Sequence, residues 1–439
     1  MRTFKMFLFA AAIACFAAGC SDSDSDSNSN SNSSNPSKPG NSKAAVDVQM
    51  TEAALTAADV PAVEDKAAKD WGKDLNSFGM DFMHKLDGNS NLVFSPFSLH
   101  SALSMTACGA GTDTLKEMAD VLHVSNDAAN IAKESGAMSL HLRFDGQTEG
   151  SKFSIANRIW VDSSAEVVPT FKTYMNDQFK APLQIVDFVG HAAEIVGIIN
   201  EWVSNVTNKM IPNLLKPNDV NSNTQMVLVN AIHFDGEWKY KFQKDKTQKA
   251  DFSVNATDKI KVDMMNQSTN VNYYENDSFK AIVMPYVGDK FSMLFMLPNE
   301  MDKLPVMLDG LDGSAIAKII TDAENIEVSI ALPKFKIESS IDNSIDILKS
   351  LGMKLAFTDA ADFKQMISNF DVFISKIIHK AVIEVDEEGT RAAAATAVSM
   401  EKNGVSMDKK TFHADHPFAF ALIHNDSNGI LFAGQYVGK

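Results

Sequence analysis

The stretch Val385–Phe418 reads VDEEGTRAAAATAVSMEKNGVSMDKKTFHADHPF. It continues a run with strand alternation, KAVIEV, but after two acids and a Gly-Thr pair it becomes nearly free of large side chains. Strand residues alternate between two faces, so parity is informative here. Thr390, Ala392, Ala394, Thr396, Val398 and Met400 share one face, and none is charged. Arg391 and Glu401 fall on the other face and are the only charged residues from Thr390 to Glu401. The alternation fails at Lys402. Such a segment can slide between existing strands, because a bulky or charged side chain facing the core would clash or lose its hydration. If the segment is extended, this uncharged face ends near Met400 or Glu401. Alanine is also the best helix former, so RAAAATA taken alone is equally compatible with an exposed helix.

Around this stretch lies a chain of 439 residues, 45% hydrophobic and 22% charged, with a formal net charge of -16. That is an ordinary globular composition with enough apolar residues for a large core. The acidic balance argues against nucleic acid as a partner, since phosphate binding needs clustered Lys and Arg. Residues 1–19 combine Arg2 and Lys5 with a short apolar run and small residues before Cys20, which is the pattern of an export signal. The ending AAGC resembles the bacterial lipobox, with Ala17 where that motif usually carries Leu, so Cys20 is the expected lipidation site. Residues 20–46 are rich in Ser, Asp and Asn and read as a tether. Asp22, Asp24 and Asp26 lack the Gly and closing Glu of a calcium loop. With Cys15 removed and Cys20 lipidated, only Cys108 remains, and its apolar surroundings predict a buried thiol.

From about Met50 the chain turns periodic without a second linker, so residues 47–439 read as one domain. Leu75, Phe78, Phe82 and Leu86 share a helical face, Ser98 to Ala110 reads as a buried helix, and Ile195, Ile198, Ile199, Trp202 and Val206 form a stripe closed by Pro212. Strands dominate afterwards: MVLVNAIHF, FSMLFMLP, IEVSIALPKFKI, KAVIEVDE, FAFALIH and ILFAGQYV. Helices first and strands later read as α+β. Catalytic signatures are missing: there is no G-x-S-x-G, H-E-x-x-H, paired C-x-x-C or phosphate-binding loop, and His413 with His416 lacks a third ligand nearby. No cofactor and no metal are expected.

Several stretches together resemble the serpins over nearly the whole body, from about Asp70 to Lys439. NLVFSPFSLHSALSMTACGAG is similar to the helix that opens the serpin core, and MVLVNAIHFDGEW to the strand and turn after its long helix F. FSMLFMLP, ALPKFKIESS and HPFAFALIHNDSNGILFAGQYV match later strands in order. Glu387 to Thr396 resembles the serpin hinge E-E-G-T-x-A-A-A-A-T throughout: Glu387, Glu388, Gly389, Thr390, Ala392, Ala393, Ala394, Ala395 and Thr396.

The resemblance implies an α+β serpin fold, with three β-sheets, about eight or nine helices and an exposed reactive-centre loop at about 387–412. It implies a protease inhibitor, not an enzyme, that acts as a suicide substrate. A serine-type or also a cysteine-type protease cuts the loop, forms an acyl-enzyme and is trapped when the loop inserts into the main sheet. The alternative within the family is a non-inhibitory serpin, a surface binding protein or plain substrate. By the same resemblance Ser95, Ser98, Asn230 and His379 form the shutter beneath the sheet centre, and Trp238 lies at the breach above it. Counting seventeen residues with Glu387 as the first places the cut after Asn403, before Gly404. Lys402 is chemically the better bait for a trypsin-like protease, while Met400 and Val405 suit elastase-like or subtilisin-like enzymes. The expected protein is a monomer, exported and lipid-anchored to a bacterial outer membrane or cell surface, or released outside the cell.

Overall fold

The computed structural model describes residues 54–222, 224–390 and 409–439. Nine α-helices occur among them: α1 (Asp65–Met83), α2 (Pro96–Ala107), α3 (Thr112–Leu122), α4 (Ala128–Asp145), α5 (Pro169–Thr173), α6 (Phe188–Val206), α7 (Leu304–Asp309), α8 (Gly313–Asp322) and α9 (Ser344–Leu351). The strands begin with β1 (Leu92–Phe94), β2 (Ser151–Asp162), β3 (Leu183–Val186), β4 (Met226–Glu237), β5 (Gln248–Ser253), β6 (Lys259–Glu275), β7 (Phe279–Pro285) and β8 (Phe291–Pro298). They continue with β9 (Glu324–Pro333), β10 (Phe335–Ser340), β11 (Lys380–Val385), β12 (Gly389–Thr390), β13 (Lys410–His413), β14 (Phe418–His424) and β15 (Gly429–Tyr436).

These strands build three sheets, as the family resemblance implies. The main sheet runs β10-β11-β12-β4-β2-β3. The other two merge through the long β6, whose pairing with β5 and β9 makes one and whose last residues, Asn272–Glu275, pass to β7 and so to β8, β14, β15 and β1. Alternation explains the layering. Phe153, Ile155, Ile232, Phe234, Phe335 and Ile383 point from the main sheet into a core shared with Phe291, Phe295, Phe418 and Leu422. The opposite face of β2 and β4 offers Trp160, Val229 and Ala231 to Ile195, Ile199 and Trp202 of α6. Helix α2 is buried along almost its whole length, starts with Pro96, and is capped by Ser95 Oγ, which accepts from Ser98 N at 3.0 Å.

Several expected boundaries shift. IEVSIALPKFKI is two strands: β9 pairs with β6, while β10 pairs with β11 in the main sheet. Val328, Ile330 and Leu332 are buried before the break, and Phe335 and Ile337 after it. The inward parity therefore changes at Pro333-Lys334, where the chain crosses between sheets. Leu86 lies beyond the end of α1, and α2 stops at Ala107 rather than Ala110. Helix α6 ends at Val206, before Asn208 and Lys209 adopt φ of 52° and 65°, so left-handed backbone rather than Pro212 closes it.

Candidate functional site

Strand β11 ends at Val385 and the chain reverses at once. Asp386 N donates to Gly389 O at 2.9 Å, and Asp386 Oδ1 accepts from Glu388 N at 2.8 Å. The turn sets Gly389 and Thr390 between two strands: Thr390 faces Val385 on one side and Gly236 on the other, and Gly389 faces Glu237. A Cβ on Gly389 would stand 1.9 Å from Gly236 O, so only glycine fits this approach. Among the described residues β4 and β11 form no direct ladder, and β12 pairs with both at their ends.

Every residue of the turn is held. Trp238 N donates to Glu388 O at 2.8 Å and Phe242 N to Glu387 O at 3.0 Å. Trp238 Nε1 donates to Asp386 O at 3.0 Å. Glu387, itself buried, pairs with Lys334 at 2.7 Å and accepts from Thr247 Oγ1 at 2.8 Å. Burial works against its charge, but those two donors outweigh it and hold the carboxyl below the usual range. Glu388 is bracketed by Lys241 at 3.1 Å and Lys244 at 3.0 Å, which likewise overcome burial. Lys241, Lys244, Thr247 and Lys334 were not foreseen, since nothing near them in sequence announces their partners.

Below the turn, the residues expected at the sheet centre meet in part. Ser95 N donates to His379 Nε2 at 3.0 Å, and Ser95 Oγ donates to Leu431 O at 2.6 Å. Ser98 and His379 also line a cavity of about 530 Å³ together with Met226, Leu228, Ile377 and Phe373. It opens between the start of β4, the segment leading into β11, and α2. Asn230 lies in β4 opposite Asn157, but its side chain is outside the described residues.

Burial pushes the imidazole of His379 down from 6.5 to about 4, and that of His100 likewise to about 4. The unfolded chain takes up both protons between those values and the fold does not. Stability is therefore full above pH 6.5 and falls on acidification toward pH 4, by about 1.4 kcal/mol per pH unit for each histidine. Denaturant melts at pH 6.5, 5.8 and 5.0 should show this slope, and His379→Gln should remove one histidine's share. An unchanged slope in that variant would mean that His379 does not titrate on unfolding.

Ala392, Ala393, Ala394, Ala395, Thr396, Met400, Lys402, Asn403, Gly404 and Val405 lie outside the described residues, as does Cys20. Cys108 is buried, and burial pushes its thiol pKa far up, so it is an inert core group. His416 Nε2 donates to Pro298 O at 2.9 Å and its Nδ1 lies 2.8 Å from Asp415 Oδ1, and His413 approaches Ser329. Asp145, His424 and Asp426 come together, but Lys290 pairs with Asp145 at 3.3 Å and with Asp426 at 2.7 Å, so the cluster is an ion-pair network. No helix among the described residues is long and apolar enough to cross a membrane.

The main sheet thus holds Gly389 and Thr390, the residues that lead into the small-side-chain segment, between β11 and β4. The family profile described as Serpin (serine protease inhibitor) matches residues 73–438. Intracellular coagulation inhibitor 2 of Tachypleus tridentatus is 33% identical over 368 residues, covering 82% of this chain and 89% of that protein. The leukocyte elastase inhibitor of Homo sapiens is 34% identical over 373 residues, covering 82% and 97%. The thermophilic serpin tengpin, solved in its native state, superposes with a TM-score of 0.77 at 30% identity, covering 90% of this chain and 100% of that one. The chain belongs to the serpin family; it is a member of a family of protease inhibitors and not an enzyme.

Proposed function

We propose that this serpin is a suicide-substrate inhibitor whose cut loop becomes a new strand of the main sheet between β11 and β4. The observation that carries the reading is the register of β12. Thr390 faces Gly236 and the two strands run in opposite directions, so continuing the ladder brings Ala392 opposite Phe234, Ala394 opposite Ile232, and Thr396 opposite Asn230. Met400 then meets Met226, the first residue of β4. On the other side Ala394 meets Ala381, and Thr396 meets His379. The strand limit inferred from side-chain parity thus coincides with the length of β4. The cavity beside Met226, Leu228 and His379 provides room at the far end.

The outward-facing residues Ala393, Ala395, Ala397 and Ser399 are small as well. On that side the neighbouring Val229 and Ala231 are covered by α6, which leaves little space for anything larger.

The energetics are adequate. On the order of ten new rungs, at about 0.5–1.5 kcal/mol net per hydrogen bond, contribute on the order of 10 kcal/mol. A typical protease domain is stable by about 5–15 kcal/mol, so insertion can distort one that is covalently attached. Reactive-loop insertion is a known form of strand addition with release of stored strain. The protease supplies the nucleophile and forms the acyl-enzyme. The inhibitor contributes the bait, at Lys402 or Asn403, and the slot. In this reading residues 1–19 direct export, Cys20 carries lipid, residues 20–46 tether the body to a bacterial surface, and residues 47–439 are the inhibitory domain.

The test is to mix protein lacking residues 1–20 with trypsin-like, elastase-like, subtilisin-like and papain-like proteases, then run denaturing gels with mass spectrometry of the released peptide. A protease-sized mass increase that survives denaturant is expected. The peptide should begin at Asn403 or Gly404. Cleavage by every protease with full activity retained, and no rise in the melting temperature of the cleaved protein, would instead assign it to the non-inhibitory serpins.

A further inference from the structure

Thr390 is the first residue of the proposed strand, and its hydroxyl is tied to the opposite sheet. Tyr286, which follows β7, is fully buried, and its Oη shares a hydrogen bond of 2.5 Å with Thr390 Oγ1. Among the described residues this is the one side-chain hydrogen bond of either group. The phenol cannot drift. Its ring stacks on Trp238 with centroids 4.4 Å apart and planes 12° from parallel, and the ring of Phe234 meets it edge-on at 4.8 Å. Trp238 and Tyr286 are also joined by a backbone bridge. Gly236, the ladder partner of Thr390, leaves room for this ring: a Cβ there would lie 2.9 Å from Tyr286 Cδ1. Burial drives the phenol pKa upward, so the hydroxyl keeps its proton.

We propose that Tyr286 is the positioning residue that holds the first rung of the incoming strand in place before the loop is cut, and thereby sets how often insertion outruns hydrolysis. The proposal rests on the inhibitor reading above. When Thr390 leaves the sheet, a dry hydroxyl on Tyr286 loses its partner, and a buried polar group left unpaired shifts such an equilibrium about 5- to 150-fold. The bond therefore biases the hinge inward. A strand that adds rung by rung starts faster when its first rung already exists, as an intramolecular nucleus does in helix growth. The acyl-enzyme waits for water throughout, so earlier insertion means fewer inhibitor molecules spent per protease trapped.

Four variants of the full chain test this: Tyr286→Phe, Thr390→Val, Thr390→Ser and the double Tyr286→Phe/Thr390→Val. The first readout is hydrogen exchange of a peptide covering 386–390, which needs no protease. The first two variants should exchange at least about five-fold faster, Thr390→Ser should match wild type, and the double should exchange no faster than the single variants, because each of them has already lost the one shared bond. The second readout is the number of inhibitor molecules consumed per trapped protease, which should rise to a similar degree in the two single variants and the double, with unchanged loop cleavage. A role in core packing alone would lower the melting temperature without moving either quantity, and that result overturns the proposal. Wild-type protein that never traps a protease overturns the inhibitor reading and the kinetic role of Tyr286 with it. Trapping by wild type with unaltered stoichiometry in Tyr286→Phe overturns the positioning role alone.

Discussion

Ala394→Arg should leave the loop as easily cut as before and abolish trapping. In the proposed insertion, continued in the register of β12, residue 394 would come between Ile232 and Ala381, both of which are buried. A guanidinium there has no carboxylate to meet, and an unpaired charge in a dry site costs several kcal/mol even after relaxation. Set against a total gain on the order of 10 kcal/mol for the whole strand, that penalty is large. Its timing matters more, because it falls on the fifth residue of the strand, before most rungs have formed. Insertion should stall with Thr390 to Ala393 in place while water completes the hydrolysis. The measurement is a titration of protease activity against inhibitor, together with the melting temperature of the cleaved protein. Wild type should approach a fixed stoichiometry and gain stability on cleavage, and the variant should do neither. Efficient trapping by Ala394→Arg would show that the loop does not enter with that face inward.

Gly389→Ala should act earlier, in the uncut protein. The new methyl would meet Gly236 O at 1.9 Å, and that oxygen belongs to the backbone of β4, which is paired along its other edge to β2. The strand cannot yield, so the turn must. Gly389 and Thr390 are expected to leave the sheet, which breaks both β12 ladders and frees the hydroxyl of Tyr286. Overpacking of this kind costs about 1–3 kcal/mol if the residue is forced to stay. Exchange of amides in 386–390 and at Gly236–Trp238 should rise sharply, while the distant α6 amides remain as in wild type. Unaltered exchange at 386–390 would mean that the sheet accommodates the methyl and that glycine is not required at this approach.

Much of this could be read before the fold was known. The run of small residues after Arg391 and its uncharged parity are legible as such, because both depend only on side-chain size and the two-residue repeat of extended backbone. The α+β class and most strands follow from local periodicity in the same way. The break at Pro333-Lys334 was also legible, in the shift of inward parity from Leu332 to Phe335, but a continuous apolar run conceals it. Helix α6 has a clear apolar stripe, yet its end depends on the left-handed Asn208 and Lys209, which carry no strong sequence mark.

The site divides along the same line. By itself the sequence determines that residues 390–400 have one uncharged face, that Gly389 precedes them, and that two acids stand at the turn. Only the tertiary structure decides what receives them. Lys334 reaches Glu387 across 53 residues, and Tyr286 reaches Thr390 across 104. β11 and β4, far apart in the chain, are brought into one sheet with β12 between their ends. Periodicity and size are properties of neighbouring residues, whereas a charge's partner, a hydroxyl's partner and the width of a slot are set by which distant segments pack together.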